Sequence, residues 1–148
     1  MKKKIISCLV LSVISLNLFS QGFKKTSNTE KIGTYEVGNY HLYKHQADSI
    51  VAYSFDMRDH KYSTDHFLQV KLGTKEEAIV FLINAIETID TMKKGDRFEL
   101  GLPDENIGFY TTVLGIKLLG ITVGDIGEFG CLSKQVAKGM LKTLEKEL

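Results

Sequence analysis

The chain has 148 residues, of which 43% are hydrophobic and 25% are charged, with 13 glycines and a single proline. These values are typical of a globular protein and exclude a collagen-like, low-complexity or disulfide-rich scaffold. The length fits one domain that buries a core without covalent cross-links. A formal net charge of +1 at pH 7 gives the whole chain no strong field of either sign.

The first 20 residues have the organisation of a bacterial secretory signal peptide. Residues 2–4 are lysines, residues 5–19 are mainly apolar, and the small Ser20 suits cleavage before Gln21. A membrane-spanning helix needs about 20 apolar residues, and this stretch is shorter and interrupted by polar side chains. Most of the apolar run lies after Cys8, whereas a lipidated cysteine would follow the run, so we predict no lipid anchor. Membrane contact is expected only through an uncleaved signal segment.

Cleavage changes both the charge and the compartment. It removes three of the 19 basic residues and none of the 18 acidic ones, which leaves a formal charge of −2. A slightly acidic exported chain is not expected to bind nucleic acid. Only Cys131 remains, so no intramolecular disulfide can form, and its place before an amphipathic helix favours a buried thiol. The predicted location is the periplasm or the extracellular space.

The mature chain is predicted to contain a polar, flexible leader at residues 21–32 and a single domain at residues 33–148. Residues 34–43 alternate with a change of phase at Gly38-Asn39, which predicts either a bulged strand or a tight hairpin. Residues 50–57 and 66–72 alternate cleanly and predict an antiparallel pair.

A helix is predicted from Thr74 to Met92. The sequence Thr-Lys-Glu-Glu at its start matches a capping box. The apolar residues that follow cover roughly 200° of a helical wheel. So wide a stripe is expected to pack on a sheet and also to contact either a second helix or a partner chain, which leaves a homo-oligomer open.

The second half is predicted to contain strands at residues 97–102, 107–114 and 116–123, then a helix at residues 133–148. Residues 124–130 are interpreted as a flexible connection, because their glycine spacing matches no phosphate-binding motif. The predicted fold class is therefore α+β. We expect a two-layer sandwich in the order β-β-β-α-β-β-β-α, with two helices on one face of a mainly antiparallel sheet.

Four histidines make a zinc or copper site one hypothesis, and no other cofactor is predicted. They fall in one segment, and two of them follow an aspartate that could ligate or orient the ring: the candidate ligands are His41, His45, His60 and His66. Their spacing matches no zinc signature. In an unbroken strand the first two share a face.

Tyrosines in the same region could form a recognition surface or could equally cap a core. The alternation predicts that Tyr53 and Phe55 face inward, which leaves three tyrosines as candidate ligand-binding residues: Tyr40, Tyr43 and Tyr62. Carboxylates that could support acid–base chemistry are Asp104, Glu105 and Glu128, and the last helix carries a lysine stripe that could meet an acidic partner or remain solvated.

These observations favour a small exported bacterial domain that is a non-catalytic binding or protein-interaction module. Its partner would be another envelope protein or a small ligand. The alternative is an envelope hydrolase that uses carboxylates or a histidine-bound metal. The sequence contains no G-x-S-x-G nucleophile motif.

Overall fold

A computed structural model describes residues 27–59, 66–104, 106–124 and 128–147. The predicted signal peptide lies outside the described residues, as do the candidate residues His60, Tyr62 and Glu105. Among the residues that are described, no helix is long and apolar enough to cross a lipid bilayer.

Two antiparallel four-stranded meanders, each followed by a helix, form the fold. The first half contains β1 (Ser27–Tyr35), β2 (Tyr40–Ala47), β3 (Ile50–Arg58), β4 (Phe67–Gly73) and α1 (Lys75–Thr91). The second half contains β5 (Arg97–Glu99), β6 (Ile107–Val113), β7 (Ile116–Val123), β8 (Glu128–Leu132) and α2 (Lys134–Lys146). The order of elements is therefore the same in both halves, and the predicted α+β class with antiparallel strands and two helices is confirmed.

The order differs from the predicted one by one strand in each half. Ser27–Lys31, within the segment predicted as the leader, is the exposed first part of β1 and pairs with Tyr43–Ala47. Because it is an edge segment with both faces in solvent, it needs no apolar alternation. Of the two interpretations of residues 34–43, the hairpin is the one observed, with its turn at residues 36–39.

The second added strand is β8, which occupies part of the segment interpreted as a flexible connection. It pairs with β7 from Glu128↔Val123 to Leu132↔Leu119. Its glycine has a packing role, because a Cβ at Gly130 would lie 2.5 Å from the Met57 sulfur. Because Gly130 has no side chain, β8 of the second sheet can approach β3 of the first sheet closely.

The register of the first sheet separates an inner from an outer face. Leu42, Phe55 and Val70 lie in adjacent register positions and are fully buried. On the opposite face, His41 and His45 share the outer side of β2, as predicted from their even spacing.

Both helices pack into one core with residues from both sheets. The predicted capping box is present at the start of α1, where the Thr74 amide donates to Glu77 Oε2 at 2.7 Å and the Glu77 amide donates to Thr74 Oγ1 at 3.3 Å. The wide apolar stripe of α1 is covered on its flank by α2, which was one of the two expected neighbours. The far end of α2 is held to the first sheet by a Lys44–Glu147 ion pair of 2.7 Å and by the Tyr35 hydroxyl, which donates to Thr143 at 2.7 Å.

Candidate functional site

An open groove of about 920 Å³ lies where the two halves meet. One wall comes from the β1–β2 turn and the end of β3, and the other comes from the β6–β7 hairpin and the start of α2. The lining of the groove includes Glu36, Tyr40, Arg58, Leu114, Lys134 and Lys138. A concave surface of this size, with an apolar wall and a few charged groups, is typical of a binding site.

Two hairpin turns bordering this groove carry apolar side chains in a strained conformation. In the β6–β7 turn, Leu114 has φ 51° and Gly115 has φ 81°, and the Leu114 side chain is 97% exposed. In the β1–β2 turn, Val37 has φ 53° before Gly38 at φ 85°, and its side chain is fully exposed. Turns of this kind favour asparagine or aspartate before the glycine, and a β-branched residue with positive φ is a genuine outlier.

The β2–β3 turn shows the ordinary solution in the same molecule. Its residue of positive φ is Asp48, at 52°, a residue type that tolerates this conformation. Val37 and Leu114 therefore hold apolar groups in solvent at a conformational cost of about 1 kcal/mol each. We call these two turns the apolar tips.

Cations outnumber anions along the groove. Arg58, Lys117, Lys134 and Lys138 line it, against Glu36 and Asp59. Three of these cations have partners. The Arg58 guanidinium lies 5.9 Å from the centre of the Phe67 ring, and Lys134 contacts Asp90 at 2.5 Å. Lys117 donates to the carbonyl oxygens of Asp90 and Met92 at the end of α1.

Lys138 is different, because it forms no ion pair with any residue in the described part of the chain. It lies on the first turns of α2, near the positive end of the helix dipole, where the Glu36 carboxylate accepts a hydrogen bond from Ser133 Oγ at 2.9 Å. The groove thus presents a net positive charge beside an apolar wall.

The floor of the groove includes Tyr40 and Cys131. Tyr40, predicted to lie on the surface, is only 9% exposed, and its hydroxyl donates to the Cys131 carbonyl oxygen. Its burial follows from the register, which places it on the inner face opposite Met57. Burial raises the pKa of the Cys131 thiol to about 11, so this cysteine stays protonated near neutral pH. The predicted burial of Cys131 is confirmed.

The remaining sequence candidates on β2 lie on the outer face of the first sheet, away from the groove. Tyr43 is half-buried there, 6.2 Å from the His41 ring, and burial followed by the nearby Asp56 carboxylate raises the pKa of its hydroxyl. His41 also packs at 5.4 Å against Phe67. These rings lie in a row along β2 and are not arranged as a set of metal ligands.

His45 is engaged at both ring nitrogens. Its Nε2 lies 2.7 Å from Ser54 Oγ and its Nδ1 lies 3.1 Å from Thr29 Oγ1. The arrangement has the order of a nucleophile, a base and an orienting group, but Ser54 is 2% exposed and a substrate could not reach it. His41 and His45 are also about 13 Å apart along one strand, too far to share an ion.

His66 is the one described histidine that joins a cluster of metal-ligating groups. It lies just before β4, opposite Asp59 at the end of β3, and Glu128 at the start of β8 completes the group. The other carboxylate candidate that is described, Asp104, forms a solvent-exposed ion pair with Lys71 at 3.2 Å. Sequence reasoning named His66 and Glu128 separately and had no signal that linked them.

The apolar tips were also missed, although a signal was present. Both are apolar–glycine pairs, Val37-Gly38 and Leu114-Gly115, between two alternating segments, where a polar–glycine pair is expected. No protein-family model matches the chain, and comparison with curated proteins and with solved structures found no significant match.

Proposed function

We propose that this chain is an exported, non-catalytic binding protein whose groove takes an acidic and apolar segment of a partner protein. The observation that carries the proposal is the pair of apolar tips at the edges of a groove with a net positive charge.

The apolar part of the ligand is inferred from the tips and the wall between them. Leu114 lines the groove and Ile116, 64% exposed, lies beside it. Burying a leucine side chain contributes roughly 1.5–3 kcal/mol, which exceeds the strain of holding it in a left-handed turn. Strain of this kind persists where surrounding structure or function selects it.

The acidic part is inferred from the charges. A carboxylate on the ligand would meet Lys138, which has no competing ion pair in the described chain, with Arg58 and Lys134 nearby. Opposite charges steer the encounter and fix the register of a bound segment. The mature chain is itself slightly acidic, so this positive groove would stand out on its surface.

A protein is favoured over a small molecule because of Val37. Its side chain is fully exposed on the β1–β2 turn, beside Glu36 of the groove wall rather than inside the groove. A small ligand held within the groove would leave Val37 in water. A partner large enough to rest on both turns would cover it.

Export is proposed from the first 20 residues alone. Their charged, apolar and small-residue regions match a secretory signal. The intact mass of the purified product is expected to correspond to a chain that begins at Gln21. A product that retains Met1 would overturn the export part of the proposal and leave the groove unaffected.

The groove is tested with random 12-residue peptides displayed on phage and selected on the full chain as the cell produces it. Enriched peptides are expected to combine Asp or Glu with large apolar residues. In fluorescence anisotropy, Lys138→Glu should weaken their binding by roughly tenfold, and added salt should weaken binding to the unmodified chain.

Lys142→Glu is the matched control, because Lys142 is exposed one turn further along α2 and does not line the groove. Its affinity is expected to stay within twofold. Enrichment of neutral or basic peptides, or equal losses in the two variants, would contradict the proposal.

The apolar tips are tested by measuring two quantities for one variant: the free energy of unfolding by urea denaturation, and the peptide affinity by the same anisotropy assay. Val37→Asn should raise the free energy of unfolding by about 1 kcal/mol, because asparagine suits the left-handed turn. It should also weaken peptide binding several-fold. A variant that is more stable and binds equally well would show that the β1–β2 tip is not part of the binding surface.

A further inference from the structure

We propose that Asp59, His66 and Glu128 form a binding site for one zinc ion at the end of the groove. The three residues come from the end of β3, the start of β4 and the start of β8. One ligand atom of each lies within 4.8 Å of the other two. This site goes beyond the proposed binding function and does not depend on it.

The backbone fixes two of the three ligands relative to each other. The Asp59 amide donates to the His66 carbonyl oxygen at 3.0 Å, which extends the β3–β4 ladder by one pair. β3 and β4 pair from Tyr53↔Gly73 to Arg58↔Phe67, so Asp59 and His66 lie at the same end of this strand pair.

The third ligand is brought in by the close approach of the two sheets. Gly130 lets β8 pack against Met57 of β3, and Glu128 is the first residue of the same strand. His66 Nε2 then lies 3.8 Å from Glu128 Oε2. Zinc ligands at about 2.1 Å from the ion are roughly 3.4 Å apart in a tetrahedron, so small side-chain rotations would close the group around an ion.

The exposure of the three side chains increases across the site, which suits a zinc centre with three protein ligands and one open position. Asp59 is 2% exposed, whereas the side chains of Glu128 and His66 are 25% and 56% exposed. The imidazole and carboxylates supply three protein ligands, and the exposed side leaves a fourth position for water or a bound group. Since two carboxylates face one imidazole, a divalent cation would also balance their negative charge.

Asp59 belongs to both the cluster and the groove lining. An ion held there would add a positive charge at one end of a groove that already carries more cations than anions. Of the four candidate histidines, His66 is the one that the described residues place in this cluster, and His60 lies outside the described residues.

Zinc binding is measured on the full chain without an affinity tag, after removal of metal with a chelator. Titration with zinc chloride in competition with a chromophoric chelator is expected to show one equivalent bound with micromolar affinity. His66→Ala should weaken binding at least 100-fold, and Glu128→Gln at least tenfold. Substituting cobalt should give the absorption spectrum of a low-symmetry site with nitrogen and oxygen ligands.

His41→Ala is the matched control, because it removes an imidazole from the outer face of the same sheet. Its zinc affinity should equal that of the unmodified chain. His66 and Glu128 are exposed enough to be replaced without unfolding, and urea midpoints would verify this for each variant. Absence of binding at millimolar zinc, or equal losses in His66→Ala and His41→Ala, would overturn the site.

Discussion

Replacing Phe55 with alanine is expected to lower the free energy of unfolding by about 4 kcal/mol. Phe55 is fully buried at the centre of the first sheet, and its ring stacks on Phe81 of α1 at 6.3 Å. Its neighbours in register, Leu42 and Val70, are also fully buried, so they cannot move into the space without leaving their own contacts. Since domains of this size are stable by roughly 5–15 kcal/mol, the variant would be marginally folded.

Urea denaturation followed by circular dichroism measures the effect. Ile50→Ala is the control on the same strand, because Ile50 is 69% exposed and should change stability by less than about 0.5 kcal/mol. A loss below about 1.5 kcal/mol for Phe55→Ala would mean that the ring is not enclosed as described.

Raising the pH above 9 is expected to destabilise the fold, with Cys131 as one identifiable cause. Burial raises the pKa of this thiol from 9.0 to about 11. Below pH 9 the thiol is protonated in both the folded and the unfolded chain and adds no pH dependence. Between pH 9 and 11 only the unfolded chain releases the proton, so stability falls by a total of about 3 kcal/mol.

Tyr40 adds to the same trend. Burial first, and then the negative charge of Glu36, raise the pKa of its hydroxyl above its ordinary value of 10.0. The hydroxyl therefore stays protonated in the folded chain after it ionises in the unfolded one. Its contribution begins above pH 10 and has the same sign as that of Cys131.

Urea midpoints at pH 8, 9, 10 and 11 test this expectation. Cys131→Ala should be less stable at pH 8, because it leaves a small cavity, and should lose less stability between pH 9 and 11 than the unmodified chain. If both chains show the same slope, the thiol is not the group that titrates.

The sequence predicted the elements in which local pattern and tertiary packing agree. The alternation of β3 and the capping box of α1 were sufficient to predict these two elements, because one face of each element is buried. β1 gave no such signal, since its first residues are exposed on both faces and are ordered by backbone pairing. β8 resembled a loop because its glycine is needed for contact with Met57, which is distant in sequence.

The candidate site was less predictable for the same reason. The groove is lined by residues as distant in sequence as Glu36 and Lys138. Its walls therefore depend on how the two halves of the chain pack together. The sequence shows His66 directly after Asp65, but it gives no sign that Asp59 is the aspartate that lies beside His66. Glu128, which completes that cluster, lies more than 60 residues beyond His66 and depends on the sheet-to-sheet approach.

The repeated order of four strands and a helix has a consequence for how the chain acquires its structure. The first meander and α1 are complete in sequence before α2 begins, yet α1 buries its flank against α2 and also contacts β7 of the second half. An N-terminal fragment ending at α1 would leave a large apolar area in water and would be prone to aggregate. We therefore expect the structure to form in one cooperative event that requires the last helix, and we expect removal of that helix to destabilise the whole fold rather than half of it.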